Sequence, residues 1–192
     1  MAVVAGTAVA TTACIANMMR KRNIKHVRNL EMGIKEGVDL CIASTVGGFT
    51  AGMVVDDKKH RKAKVKDAIN QLIGNTFIPF GSLAIANKLT KPLPMLARTL
   101  IAIGALIGTT FLGHNVANKV NEKVFKEDSG YKTSLKDFIF DIDDVGFAAS
   151  TVLKSKWLYN LTATVVPVTY MMHGYLAGTR QENNTKTLDK YV

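Results

Sequence analysis

Charged residues cut the chain into five uncharged runs, Met1–Met19, Leu40–Val55, Ala68–Asn87, Thr99–Asn118 and Trp157–Thr179. Four of them are 19 to 23 residues long, the length at which an apolar helix crosses a bilayer, whereas Leu40–Val55, at 16, falls short. None is strongly hydrophobic. The runs are rich in Ala, Gly and Thr, and Ala68–Asn87 carries Asn70, Gln71 and Asn75, so the same pattern also suits buried helices of a soluble protein.

Between the fourth and fifth runs the period changes. Ser134 followed by Asp137 has the spacing of a helix cap, and a helix is expected from Ser134 to Leu153. Asp137, Asp141 and Asp144 share one face of it, and Phe138, Ile142, Val145 and Ala149 the adjoining one. It is amphipathic and too charged in its first half to span. Pro92 and Pro94 mark a tight connection that folds Ala68–Asn87 and Thr99–Asn118 into an antiparallel hairpin. Pro79 and Pro167 lie inside their runs and are expected to kink or interrupt them.

These elements predict an all-α protein, a small polytopic membrane helix bundle. It would have about four spans, with Leu40–Val55 re-entrant, peripheral or buried against the bundle, and the amphipathic helix beside it. Residues 1–192 read as a single membrane domain. Gly6–Asn17 and Gly104–Asn115 share Gly, a Thr-Thr pair and Asn at an offset of 98, which suggests related halves, 1–98 and 99–192. A competing alignment at offsets of 87 and 88 pairs Asp56-Asp57 with Asp143-Asp144 and Pro79 with Pro167.

Composition sharpens this picture. The chain holds 25 Lys and Arg against 15 Asp and Glu, a net charge of +10, beside 47% apolar residues. Such a charge suits either nucleic acid or an anionic membrane surface. Here the basic residues form short blocks between apolar runs and only 7% of residues are aromatic, so nucleic acid is the disfavoured partner and anionic lipid the favoured one. If Leu40–Val55 does not cross, 19 Lys and Arg fall on one side and 6 on the other; if it crosses, the sides receive 12 and 13. Orientation follows such an excess, which favours four spans with both termini outside. Met1–Met19 has its positive charge after the apolar stretch, at Arg20-Lys21-Arg22, and reads as a retained anchor.

Candidate chemistry is sparse. No phosphate-binding loop, nucleophile elbow, His-Glu-x-x-His or Cys-x-x-Cys is present, so no catalytic residue, metal site or cofactor is expected, and the chain is read as a non-enzyme. Arg20, Lys21, Arg22, Lys58, Lys59, Arg61 and Lys62 are expected to touch lipid headgroups. Asp137, Asp141 and Asp144, with His114 and His173, form a candidate cation or proton site; the carboxylates better suit a solvated face paired with the basic loops, and the histidines better suit hydrogen bonds to terminal carbonyls near the interface. In the four-span arrangement the two histidines would stand near opposite faces.

Small residues four apart let helix backbones approach closely in lipid, and Gly48 with Gly52, Gly104 with Gly108 and Gly174 with Gly178 have that spacing. The expected role is a structural or assembly component of a membrane, with a homo-oligomer or larger assembly as partner. The alternatives are a small transporter or channel of two related halves, and a soluble or peripheral helical protein on anionic lipid or nucleic acid.

Overall fold

A computed structural model of the chain describes residues 1–126 and 142–179, and all regular structure among the described residues is helical. The all-α class is therefore as expected. The helices are α1 (Ala2–Lys21), α2 (Ile34–Val55), α3 (Arg61–Ile69), α4 (Ile78–Leu89), α5 (Met95–Phe125), α6 (Ile142–Leu153) and α7 (Lys156–Thr179). A π-helical segment, Asn70–Phe77, joins α3 to α4. Three of the helices, α1, α2 and α5, are long and apolar enough to cross a membrane.

The end of α1 is set by Asn23, which takes left-handed backbone angles (φ 53°). The Ile24 N–H then reaches back to the Met19 carbonyl (2.9 Å) and that of Asn23 to Arg20 (3.3 Å), satisfying two of the last orphan acceptors. The following loop is held in place. Leu30 and Met32 are buried in the core, Arg22 donates to the Glu31 carbonyl (2.9 Å), and Arg22 also pairs with Glu36. The Glu36 carboxylate accepts the N–H of Gly33 (3.0 Å) and so closes the start of α2.

Of the placements expected for Leu40–Val55 the structure shows the one buried against the bundle, and it corrects the length. The run is part of a full-length helix, Ile34–Val55, packed along both α1 and α7 in the middle of the bundle. Its first turns carry charge because Lys35 bonds Asp39 one turn on (2.5 Å) and Glu36 serves the N-terminus, so counting from charge to charge made it too short. The loops Arg22–Gly33 and Asp56–His60 consequently stand at opposite ends of α2, and the basic residues are divided between both ends of the bundle.

Two groups of helices meet in the core. On one side α2 crosses α1 and α7; on the other α5 packs on the π segment, α4 and α6. Leu40, Phe80, Leu83, Leu106, Phe147, Val166 and Tyr170 fill the space between them, with the Phe80 ring edge-on to Phe147 (centroids 5.3 Å) and to Tyr170 (6.2 Å). Antiparallel packing of α4 and α5 follows the five residues Thr90–Pro94, and Asn87 bonds Thr151 of α6 (3.1 Å).

Proline acts differently in its two places. Pro79 lies with one residue between it and the π segment, in the first turn of α4, where the change of winding from π to α falls. Pro167 is buried within α7, which continues through it to Thr179. The helix expected to start at Ser134 is seen as α6 from Ile142 to Leu153; Ser134, Asp137, Phe138 and Asp141 lie outside the described residues.

Candidate functional site

Glycine lets α2 and α7 touch backbone to backbone. A Cβ added to Gly48 would overlap the Gly174 carbonyl, one on Gly174 the Ser44 carbonyl, and Gly52 and Gly178 stand in the same relation one turn on. Across the other side of α2, a Cβ on Gly6 would lie 2.5 Å from the Ala51 Cβ and 2.8 Å from the Gly47 carbonyl oxygen. Threonine completes the seam: Thr7 and Thr11 are buried, and each hydroxyl donates to a carbonyl four residues back (2.8 Å), which keeps it satisfied away from water. The third pair differs. Positions Gly104 and Gly108 on α5 have no atom within 4 Å of an added Cβ.

Close helix contact brings polar side chains into the interior. The Ser44 hydroxyl of α2 donates to the Tyr170 carbonyl of α7 (2.7 Å), and Cys41 Sγ lies 3.7 Å from His173 Nδ1. The imidazole of His173 stacks on the Tyr170 ring (centroids 5.5 Å). On α5, His114 is 0% exposed and fits against Gly74 of the π segment, where an added Cβ would sit 2.6 Å from its Nδ1.

The directions of α5 and α7 correct the expected placement of the two histidines at opposite faces. Both α5 and α7 end against α3: Asn121 donates to the Lys66 carbonyl (3.1 Å) and Lys64 to the Gly178 carbonyl (2.5 Å). The helices run parallel, so both histidines lie in the half of the bundle nearest α3. Taking Thr99–Asn118 and Trp157–Thr179 as consecutive spans had turned one of them over; α6 lies between them and packs on both α5 and α7.

The π segment supplies the rest of the polar interior. Asn70, Gln71 and Thr76 are buried there. Its looser winding leaves the Gln71 carbonyl to the Thr76 hydroxyl five residues on (3.0 Å), while Asn75 Nδ2 donates to the Gln71 side chain (2.8 Å). Asn70 in turn lies 3.5 Å from Asn121 Nδ2. Buried amides thus gather at the α3 end, with His114 against Gly74 of the same segment. Nothing in the sequence marked this segment except its Asn, Gln and Gly content within an otherwise apolar run.

At the α3 end a charged cluster closes the glycine crossing. Lys64, 1% exposed, pairs with Asp56 (2.9 Å), and His60 Nδ1 lies 3.0 Å from the other oxygen of that carboxylate. The Lys64 ammonium, then the His60 imidazole and the Asp57 N–H, hold the Asp56 carboxyl well below the usual carboxylate range. Lys64 therefore ties the end of α2 to the last carbonyls of α7.

The basic residues singled out in the sequence occupy both ends. Arg20 and Lys21 are exposed at the end of α1, and Arg22 is engaged with Glu36 and Glu31. Lys58, Lys59 and Arg61 are exposed at the opposite end, Lys59 lies 3.7 Å from Asp57, and Lys62 stands over the Phe125 ring (5.7 Å). Asp137 and Asp141 lie outside the described residues, and of Asp144 only its place in α6 is described. Among the described residues no group of three or more His, Cys, Asp and Glu is arranged to hold a metal ion. Protein-family models, curated proteins and solved structures were all compared with the chain, and none matches.

Proposed function

We propose that the chain is a multi-pass integral membrane protein and acts as a non-enzymatic structural component of a membrane assembly. One observation carries the membrane reading: polar side chains are buried among the core residues while many large apolar ones face outward. Thr7, Thr11, Ser44, Thr45, Gln71, Thr110, His114, Asn121 and His173 are buried, while Val9, Val54, Ile85, Leu96, Leu100, Phe111, Leu112, Leu161 and Val168 are exposed. Water would penalise that surface and hydrocarbon would not. Backbone-to-backbone crossing at glycine is also how helices associate where burial from water cannot drive them together. The structural role is supported by the closeness of α1, α2 and α7 at these glycines.

Alkaline carbonate extraction tests the membrane reading: the chain should stay with the pellet, and release into the supernatant overturns it. A second reading, a small proton or cation carrier, is favoured by the burial of His173, His114, Gln71, Asn70 and Asn121. Purified chain in liposomes loaded with a pH dye separates the two. A leak no greater than that of empty liposomes supports the structural role, and a flux abolished by His114→Ala supports the carrier.

A further inference from the structure

At the end of the bundle away from α3, a cleft of about 340 Å³ opens between the α1–α2 loop and the start of α7, lined by Arg28, Asn29, Glu31, Lys154, Lys156, Tyr159 and Asn160. Three cations face one carboxylate there, leaving positive charge in excess. Among the described residues none of the three cations is ion-paired. The chain brings them together by a sharp passage from α6 to α7, with Lys154 in left-handed angles (φ 49°) and Lys156 opening the next helix.

The surroundings suit a phosphate carried on a lipid. Lys156, Tyr159 and Asn160 share one side of the first turns of a 24-residue helix, whose free N–H groups and dipole add to the positive field. Beside them a continuous exposed apolar stripe descends α7 through Trp157, Leu161, Val165, Val168 and Met172. Trp157 and Tyr159 are the residue types that settle at the headgroup level, which puts the cleft at the depth of lipid phosphates and the stripe at the depth of acyl chains.

We propose that this cleft binds the phosphate of an anionic phospholipid headgroup, with Arg28, Lys154 and Lys156 as its cationic contacts, Asn29 and Asn160 as amide donors, and the acyl chains lying along the Trp157–Met172 stripe. The assignment rests on the membrane reading above. It concerns residues other than the exposed basic blocks at Arg20–Arg22 and Lys58–Lys62.

Trp157 is the one tryptophan in the chain and stands beside the cleft, so its fluorescence reports the occupant. The full chain is reconstituted in phosphatidylcholine vesicles doped with either dibromo-phosphatidic acid or dibromo-phosphatidylcholine. At equal mole fraction the acidic lipid should associate with the Trp157 site about fivefold more strongly or better, the contribution of one basic residue or more. Arg28→Gln, Lys154→Gln and Lys156→Gln together should erase the preference. Lys58→Gln with Lys59→Gln, at the other end, should keep it, and so should Lys154→Arg with Lys156→Arg, which preserves charge if the triple variant does not fold. Equal quenching by the two lipids overturns the cleft and leaves the membrane reading standing; quenching by neither overturns both. Loss of the preference when inorganic phosphate is added assigns the cleft to a free anion and overturns the lipid headgroup.

Discussion

Gly48 and Gly174 are in backbone contact: an added Cβ on the first would overlap the carbonyl of the second. Gly48→Val or Gly174→Val should therefore force α2 and α7 apart, at a cost of about 1–3 kcal/mol or more, as overpacking does elsewhere. Gly104→Ala and Gly108→Ala, with open space around the new Cβ, should leave the isolated chain as stable or raise its stability by up to about 1 kcal/mol each, the helix preference of Ala over Gly. Unfolding of the four variants in mild detergent, followed by circular dichroism, checks the contrast.

The Asp56 carboxyl is held low by Lys64, His60 and the Asp57 N–H. A depressed folded-state pKa contributes stability above the unfolded value, about 3.9 for Asp, and that contribution is lost as pH falls toward the folded value. Melting temperature should therefore drop on acidification below about pH 4. Asp56→Asn should start lower at neutral pH, because Lys64 keeps its burial and loses its counter-charge, and should lose the Asp56 share of the acid dependence. Parallel slopes for the two proteins below that pH would contradict the assignment.

Because α2 is full length, the loops before and after it stand at opposite ends of the bundle. With Cys14 and Cys41 replaced, single cysteines at Lys25 and at Lys58 should react with an impermeant maleimide from opposite sides of sealed vesicles. Labelling of both from one side would refute a membrane-crossing α2.

Phe80 is buried and edge-on to two other aromatic rings. Phe80→Ala should cost about 3–5 kcal/mol. Ser44→Ala removes one interhelical hydrogen bond and should cost only about 0.6 kcal/mol. Denaturant titrations of the two variants in the same detergent give the comparison directly; a Ser44→Ala cost as large as that of Phe80→Ala would mean that the polar contact between α2 and α7 weighs as much as the rings that join the two helix groups.

The helical class and the main helices could be read from uncharged run length, and the hairpin at Pro92 and Pro94 from their effect on the preceding residue. The extent of α2 could not. Lys35, Glu36 and Asp39 look like a loop when charge alone is counted, and only the folded chain shows Glu36 closing the helix start and Lys35 paired along it. The π segment was hidden for a related reason: its looser winding breaks the period by which buried and exposed positions are told apart. The repeat between Gly6–Asn17 and Gly104–Asn115 sits in two helices with different neighbours, since Gly6 meets Gly47 and Ala51 whereas Gly104 meets nothing. The cleft at Arg28, Lys154 and Lys156 joins residues more than 120 positions apart and has no linear signature.

The outward Leu, Val and Phe side chains carry a practical consequence for what counts as the folded molecule. On the membrane reading proposed above, their favourable surroundings are not supplied by the polypeptide, and the smallest stable particle would be the chain together with its annulus of lipid or detergent. Removing the amphiphile takes away part of the structure as surely as deleting a helix would, and precipitation on detergent dilution would report that loss rather than a fault in the fold.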